Sequence, residues 1–146
     1  MTAVYDKLGL KFLYPENWKL IDESESEMPH AITLETPAGD CSWAVHAYQP
    51  GADRDAILKE TLATLQETYE DLEISACEDE LGSSAASGVE ALFYCLDFLI
   101  RAKLLVVPTR EYLLLFWFQA EDREFDKQDA VFKAMSVSLL QSLTPD

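Results

Sequence analysis

The chain has 146 residues, with 27 acidic side chains against 11 basic ones and a formal net charge of −16 at pH 7. This length predicts a single domain over residues 1–146, and an apolar fraction of 49% is typical of a folded chain rather than a disordered one. A field of this sign repels phosphates and anionic lipid headgroups, so we expect no nucleic-acid partner. The same field attracts basic protein surfaces, or it only supports solubility.

Cysteine and histidine are sparse. Cys41, Cys77 and Cys95 are widely spaced, there is no Cys-x-x-Cys pair, and the chain has only two histidines. We therefore expect no disulfide framework, structural metal or cofactor, and we expect small buried thiols at Cys41 and Cys95, which lie in strand-like runs. The first residues show no signal-peptide pattern, and no apolar run approaches the roughly 20 residues of a membrane helix. These observations predict a cytoplasmic protein without membrane insertion.

The first part of the chain predicts strands joined by turns. Residues 8–14 are strand-like up to Pro15, and the pattern resumes at 18–21, so residues 8–21 predict a hairpin. Residues 22–30 form a polar, acidic loop. Alternation of apolar and polar residues predicts two further strands, at 31–36 and 41–48.

A helix is predicted after the break at Pro50 and Gly51. The carboxylate of Asp53 is placed to accept from free amides of a first helical turn, which predicts a helix over 53–69. Its apolar face recurs at helical spacing and consists of Leu58, Leu62, Leu65 and Tyr69. A short strand at 72–77 leads to the acids at 78–80, and the small residues at 82–88 predict a loop.

Residues 89–119 predict three consecutive strands, and the last has the most distinctive pattern. From Tyr112 to Phe118 both faces of the strand are apolar, whereas a strand with one face in water alternates. This strand must therefore be covered on both sides. A charged segment at 121–127 starts a last helix, predicted over 125–140, whose apolar face consists of Phe125, Phe132, Met135 and Leu139.

Runs of strands with two helices predict the α+β class, with an antiparallel sheet of about six or seven strands sandwiched between helices. The element order resembles the PsbP-like superfamily, which includes the photosystem subunit PsbP, the yeast Ran-binding nuclear-transport factor and DcrB-type bacterial proteins. The motifs are Tyr14-Pro15 with Trp18, a helix after Pro50-Gly51, the segment 88–91 before a hairpin, and strand 112–118 before a helix.

The resemblance extends over nearly the whole chain. It implies a sheet between helices and a role in binding proteins or assisting assembly, with no set of catalytic residues to transfer. The export signal or lipobox cysteine of PsbP and DcrB-type relatives has no counterpart in this sequence, which argues against a photosystem or envelope role.

Candidate catalytic groups are few. The alternating acids at 122–126 could suggest calcium, but they lack the glycine and distal glutamate of an EF-hand, so we expect them to favour a helix N-terminus. Cys41 and His46 are five residues apart on one strand and should point to opposite faces. His30 and His46 have no orienting third group that the sequence identifies, and we expect no enzymatic activity.

The function predicted from the sequence is non-catalytic binding of a basic or amphipathic protein partner by a monomer or homodimer. The predicted contacts lie on an acidic, partly aromatic surface made of Glu23, Glu25, Glu27, Trp43, Glu78, Asp79, Glu80 and Trp117. Two alternatives stay open. One is a dimeric chaperone or adaptor of the DcrB-like secretion type, and the other is a small-molecule or lipid carrier with a cavity between sheet and helices.

Overall fold

A computed structural model describes residues 1–24 and 28–144. Over these residues the chain forms strands and two helices in the order of an α+β protein. The elements are β1 (Thr2–Lys7), β2 (Leu10–Pro15), β3 (Lys19–Glu23), β4 (His30–Glu35), β5 (Cys41–Tyr48), α1 (Arg54–Thr68), β6 (Glu73–Leu81), β7 (Ser84–Cys95), β8 (Phe98–Pro108), β9 (Leu113–Glu121) and α2 (Asp122–Gln141).

Seven strands form one antiparallel sheet in the order β3-β4-β5-β9-β8-β7-β6, and β1 pairs with β2 in a separate two-stranded sheet. The predicted antiparallel sheet is confirmed. The predicted hairpin over 8–21 is wrong, because β2 pairs with β1 and β3 pairs with β4. The chain reverses instead at Leu8 and Gly9, whose φ angles of 57° and 79° fit a tight turn between paired strands.

Strand β9 lies in the middle of the sheet, and its two apolar faces are both covered, as its sequence required. Leu114, Phe116 and Phe118 pack in a core cluster with α2 and with β2 of the small sheet. Leu113 and Leu115 pack on the opposite face against α1. We call these two sides of the sheet the α2 face and the α1 face.

Helix α1 begins as predicted. The carboxylate of Asp53 accepts hydrogen bonds from the backbone N–H groups of Asp55 and Ala56, at 3.0 and 3.2 Å. Leu58 and Leu65 of its predicted apolar face are buried, and Leu62 and Tyr69 pack against the same clusters. The buried sheet residues in these clusters come from β7, β8 and β9, so α1 lies over that half of the sheet.

Helix α2 covers the other face. The four residues of its predicted apolar face, Phe125, Phe132, Met135 and Leu139, are all buried. Ser136 is also buried and accepts a hydrogen bond of 2.9 Å from the indole Nε1–H of Trp43 in β5. This bond satisfies a buried donor and fixes the position of the helix against the sheet. In the part of the chain described, neither helix is long and apolar enough to cross a membrane.

The predicted loop at 82–88 is wrong, because β7 already begins at Ser84. A small residue is needed in this strand because the neighbouring strand packs closely against it, and not because the chain turns. A Cβ atom on Gly88 would lie 1.8 Å from the backbone carbonyl oxygen of Leu104 in the neighbouring strand β8.

The substitution Gly88→Ala should therefore force β7 away from β8, since backbone atoms of a paired strand cannot rotate aside. We expect the free energy of unfolding to fall by about 3 kcal/mol, at the upper end for overpacking. Ala85→Ser, at an exposed position of the same strand, should change it by less than about 0.5 kcal/mol. Chemical denaturation of both variants measures the difference, and equal stabilities would contradict the close approach.

Candidate functional site

A groove opens on the α1 face at one end of the sheet. The register brings the start of β5 beside the end of β9, with Cys41 opposite Ala120. It also places Ile100 of β8 opposite Glu121, the last residue of β9. The β7–β8 hairpin continues beyond that point and closes with Cys95 opposite Phe98, so its end projects past β9.

This groove, which we call the end groove, has a volume of about 470 Å³. Its described lining combines three carboxylates with apolar side chains and includes no lysine, arginine or histidine. The carboxylates are Glu35, Asp40 and Glu121, and the apolar residues include Tyr69, Leu96, Phe98 and Ile100. Arg123 pairs with Glu121 at 2.7 Å from outside the lining. The groove therefore combines apolar side chains with three carboxylates, which we call the acidic rim.

The tip of the β7–β8 hairpin (residues 94–98) presents apolar side chains to solvent. Leu96 is 88% exposed, Tyr94 is 66% exposed and Phe98 is 49% exposed. Leu96 also has a φ of 57°, in the left-handed region that side chains other than glycine and asparagine rarely adopt. Several exposed apolar groups clustered on one turn are typical of a contact surface.

The end groove is open because α1 does not extend over the other half of the sheet. On this face of β3, β4 and β5, the described side chains are half-buried or exposed, apart from Ala44. His46 and Trp117 lie side by side there, with ring centroids 6.1 Å apart. Burial lowers the pKa of His46, and the charge of Glu23 opposes this shift only in part.

The geometry does not assemble a nucleophilic site from the cysteine and histidine considered above. Cys41 is buried in the α2-face cluster, and burial, reinforced by the charge of Asp40, raises the pKa of its thiol to about 11. A thiol with so high a pKa is a poor nucleophile. His46 projects from the opposite face, as the sequence spacing predicted. Across residues 1–24 and 28–144, no group of three or more His, Cys, Asp or Glu side chains is arranged to hold a metal ion.

Trp43 requires a correction, because it does not belong to a partner-binding surface. Its side chain is fully buried, with an exposed fraction of 0%, and its ring packs between Phe12 and Phe116. Trp117 is half-buried and donates from Nε1 to the side-chain oxygen of Gln119 at 2.9 Å. It is the aromatic residue of the predicted set that reaches the α1 face.

The predicted acidic residues do not form one surface. Glu23 is exposed on β3, whereas Glu78 and Glu80 are exposed on β6, at the opposite edge of the sheet. Glu25 and Glu27 lie outside the described residues. The end groove was missed because Glu35, Asp40 and Glu121 are far apart in sequence and each resembles any other surface acid. The one local feature that indicated the hairpin tip was Asp97, a polar residue inside an apolar run, which is typical of a turn.

Asp79 points to the α2 face, where it takes part in an ion-pair network. It therefore does not belong to the predicted partner-binding surface. Its carboxylate lies 3.3 Å from the ammonium nitrogens of both Lys103 and Lys133, and Asp129 lies 3.1 Å from Lys133. Burial alone would raise the pKa of Asp79. The backbone N–H of Glu80 and the two ammonium groups outweigh that effect and lower the pKa below its usual value.

Comparison with solved structures finds the same architecture in other proteins, including the following two. The solution structure of cyanobacterial PsbP (CyanoP) from Synechocystis sp. PCC 6803 matches with a TM-score of 0.63 at 15% identity, covering 94% of this chain and 90% of that chain. The crystal structure of PA94 from Pseudomonas aeruginosa, a protein of unknown function, matches with a TM-score of 0.51 at 11% identity, covering 94% of this chain and 95% of that chain.

LpqN, involved in cell envelope biogenesis of Mycobacterium tuberculosis, has a TM-score of 0.43 at 14% identity, covering 99% of this chain and 91% of that chain, which is too low to support an argument. No protein-family model and no curated protein matches the chain. The matches to the first two structures establish a PsbP-like fold and confirm the resemblance noted in the sequence.

Replacing Asp79 by asparagine should leave Lys103, whose side chain is only 12% exposed, without its closest counter-charge. We expect the free energy of unfolding to fall by about 1–3 kcal/mol at pH 7. Because the folded-state pKa of Asp79 is lowered, its contribution is complete above the unfolded pKa of about 4 and is lost as the pH falls below it. Urea denaturation should therefore show that the difference in the free energy of unfolding between wild type and Asp79→Asn shrinks as the pH is lowered from about 6 to about 3.

The isosteric replacement Glu78→Gln on the same strand is the matched control. Glu78 is exposed on the other face, away from both lysines. Its stability should stay within about 0.5 kcal/mol of wild type across this pH range. Equal effects of the two substitutions would contradict a specific role of the network.

Proposed function

We propose that this protein is a non-catalytic binding or assembly factor that holds a basic, amphipathic segment of a protein partner in the end groove. The observation that carries the proposal is the joint presence, in one groove, of the acidic rim and of apolar side chains that include the exposed hairpin tip. An apolar ligand alone would leave the carboxylates desolvated, and a purely charged ligand would leave the tip exposed. A segment with apolar residues on one side and lysine or arginine on the other satisfies both.

The two parts of the surface contribute differently. Exposed ion pairs are each worth about 0–1 kcal/mol, so the carboxylates mainly orient the partner and speed its approach. Burial of a leucine or phenylalanine side chain is worth about 1.5–3 kcal/mol, so Leu96 and Phe98 should dominate the affinity. We therefore place the energetic centre of the interface at the hairpin tip and its selectivity in the acidic rim.

The PsbP-like fold agrees with a non-catalytic role, since the resemblance implies proteins that bind other proteins or assist assembly. Of the two alternatives, a dimeric adaptor of the DcrB-like type would also need an apolar contact surface, but pairing two chains that each carry a net charge of −16 is electrostatically unfavourable. The carrier gains no support beside Phe116, which is fully buried and packs against the rings of Trp43 and Phe118.

A labelled peptide of about four helical turns, with leucines on one face and lysines on the other, provides a direct test of the groove. Fluorescence anisotropy should show binding that weakens steeply between about 50 and 300 mM salt. Leu96→Ser should weaken binding by about tenfold or more, because about 1.5 kcal/mol or more of apolar burial is lost. Glu35→Gln should weaken it about two- to threefold at low salt and flatten the salt dependence.

Leu13→Ser is the matched control, since Leu13 is an exposed leucine on the separate β1–β2 sheet. It should bind the peptide as wild type does. The proposal fails if Leu96→Ser retains full affinity, or if Leu13→Ser loses as much as Leu96→Ser.

A further inference from the structure

Strand β6 leaves one side of its backbone unpaired. It is nine residues long and forms one edge of the seven-stranded sheet, where it pairs with β7 among the strands described. The strand at the other edge, β3, has only five residues. A long edge with free N–H and C=O groups is a template for another extended chain.

The side chains of β6 on the α1 face form a two-part stripe. Ile74, Ala76, Glu78 and Glu80 follow one another at every second position, and all four are exposed, with Ile74 43% exposed. Their cross-strand neighbours Val89 and Ala91 in β7 pack towards α1, whereas no residue of β6 belongs to the described clusters that contain α1. The stripe thus consists of two apolar residues followed by two carboxylates. Among the residues described, no helix or strand covers it.

The apolar half of this edge lacks the usual features that block pairing. Natural edges are protected by proline, lysine, bulges or inward-pointing charges. Residues 73–77 are Glu-Ile-Ser-Ala-Cys, and they pair with β7 in unbroken register. The inward-pointing Asp79 is compensated by Lys103 and Lys133. The exposed charges that remain on this edge are Glu73 at its start and Glu78 and Glu80 near its end. These carboxylates disfavour acidic segments and favour basic ones.

We propose that β6 accepts an extended, basic segment of another protein as an eighth strand of the sheet. In antiparallel pairing, basic residues of the segment lie opposite Glu80 and Glu78, and apolar residues lie opposite Ala76 and Ile74. The segment then has the pattern basic-x-basic-x-apolar-x-apolar, because alternate residues share one face of a strand. A second copy of this chain is a poor occupant, since it would bring two sets of acids and two net charges of −16 together.

A fluorescein-labelled peptide Lys-Thr-Lys-Thr-Val-Thr-Val tests backbone pairing directly. In an added strand the N–H groups of alternate residues face β6 and the others face solvent. Two N-methylated versions, one for each alternate set, provide matched controls for each other. We expect one version to lose at least tenfold in affinity and the other to change less than twofold. Equal affinities of the two versions would overturn the proposal.

Variants of the protein locate the site. The double substitution Glu78→Gln/Glu80→Gln should weaken peptide binding about tenfold at low salt, whereas Glu60→Gln/Glu67→Gln, two exposed acids of α1, should not. Leu96→Ser should leave this affinity unchanged, so the β6 edge and the end groove can fail independently. The proposal is overturned if Glu78→Gln/Glu80→Gln binds as wild type, or if sedimentation shows a dimer that this peptide dissociates.

Discussion

The requirement that β9 be covered on both faces determines the architecture. A helix is about 10 Å wide and strands lie about 4.8 Å apart, so one helix covers about three strands. Seven strands therefore need more than one helix on each side. On the α2 face, α2 is joined by the β1–β2 sheet, whose Leu10 and Phe12 are fully buried in the same cluster. On the α1 face, α1 covers β7 to β9 and leaves β3 to β5 with half-buried or exposed side chains among the residues described.

This unequal covering gives the two faces different electrostatics. Arg101 and Lys103 project from β8 towards α2, where they lie over the ring of Phe125 and pair with Asp122 and Asp79. Basic side chains are scarce in this chain, and these two contact α2 and neighbouring carboxylates on the α2 face. The end groove and the outward stripe of β6 both lie on the α1 face and carry carboxylates. Under the function proposed above, a basic partner would therefore meet carboxylates on the face where apolar side chains are also accessible.

Sequence reasoning succeeded where a single element carries the whole signal. The periodicity of α2 and the unmixed apolarity of β9 depend on residues close together in the chain, and the carboxylate of Asp53 begins α1 through bonds to its own first turn. It failed where the outcome depends on a neighbouring strand. Gly88 signals a loop in isolation, and only the carbonyl of Leu104 makes clear why glycine is needed inside a strand. The end groove was not predicted for the same reason, since the pairing of β4, β5 and β9, with the turn before β5, brings Glu35, Asp40 and Glu121 together.

The hairpin tip shows why an exposed apolar residue is informative in this fold. Leu96 lies in a left-handed conformation that costs about 1–2 kcal/mol and gains almost no burial in return, since it is 88% exposed. Asparagine or glycine would relieve the backbone, and a polar side chain would avoid exposing apolar surface. Folding stability therefore does not favour leucine at this position. Under the binding role proposed above, a partner that buries this side chain would gain about 1.5–3 kcal/mol, enough to offset the unfavourable backbone and to change affinity by tenfold or more.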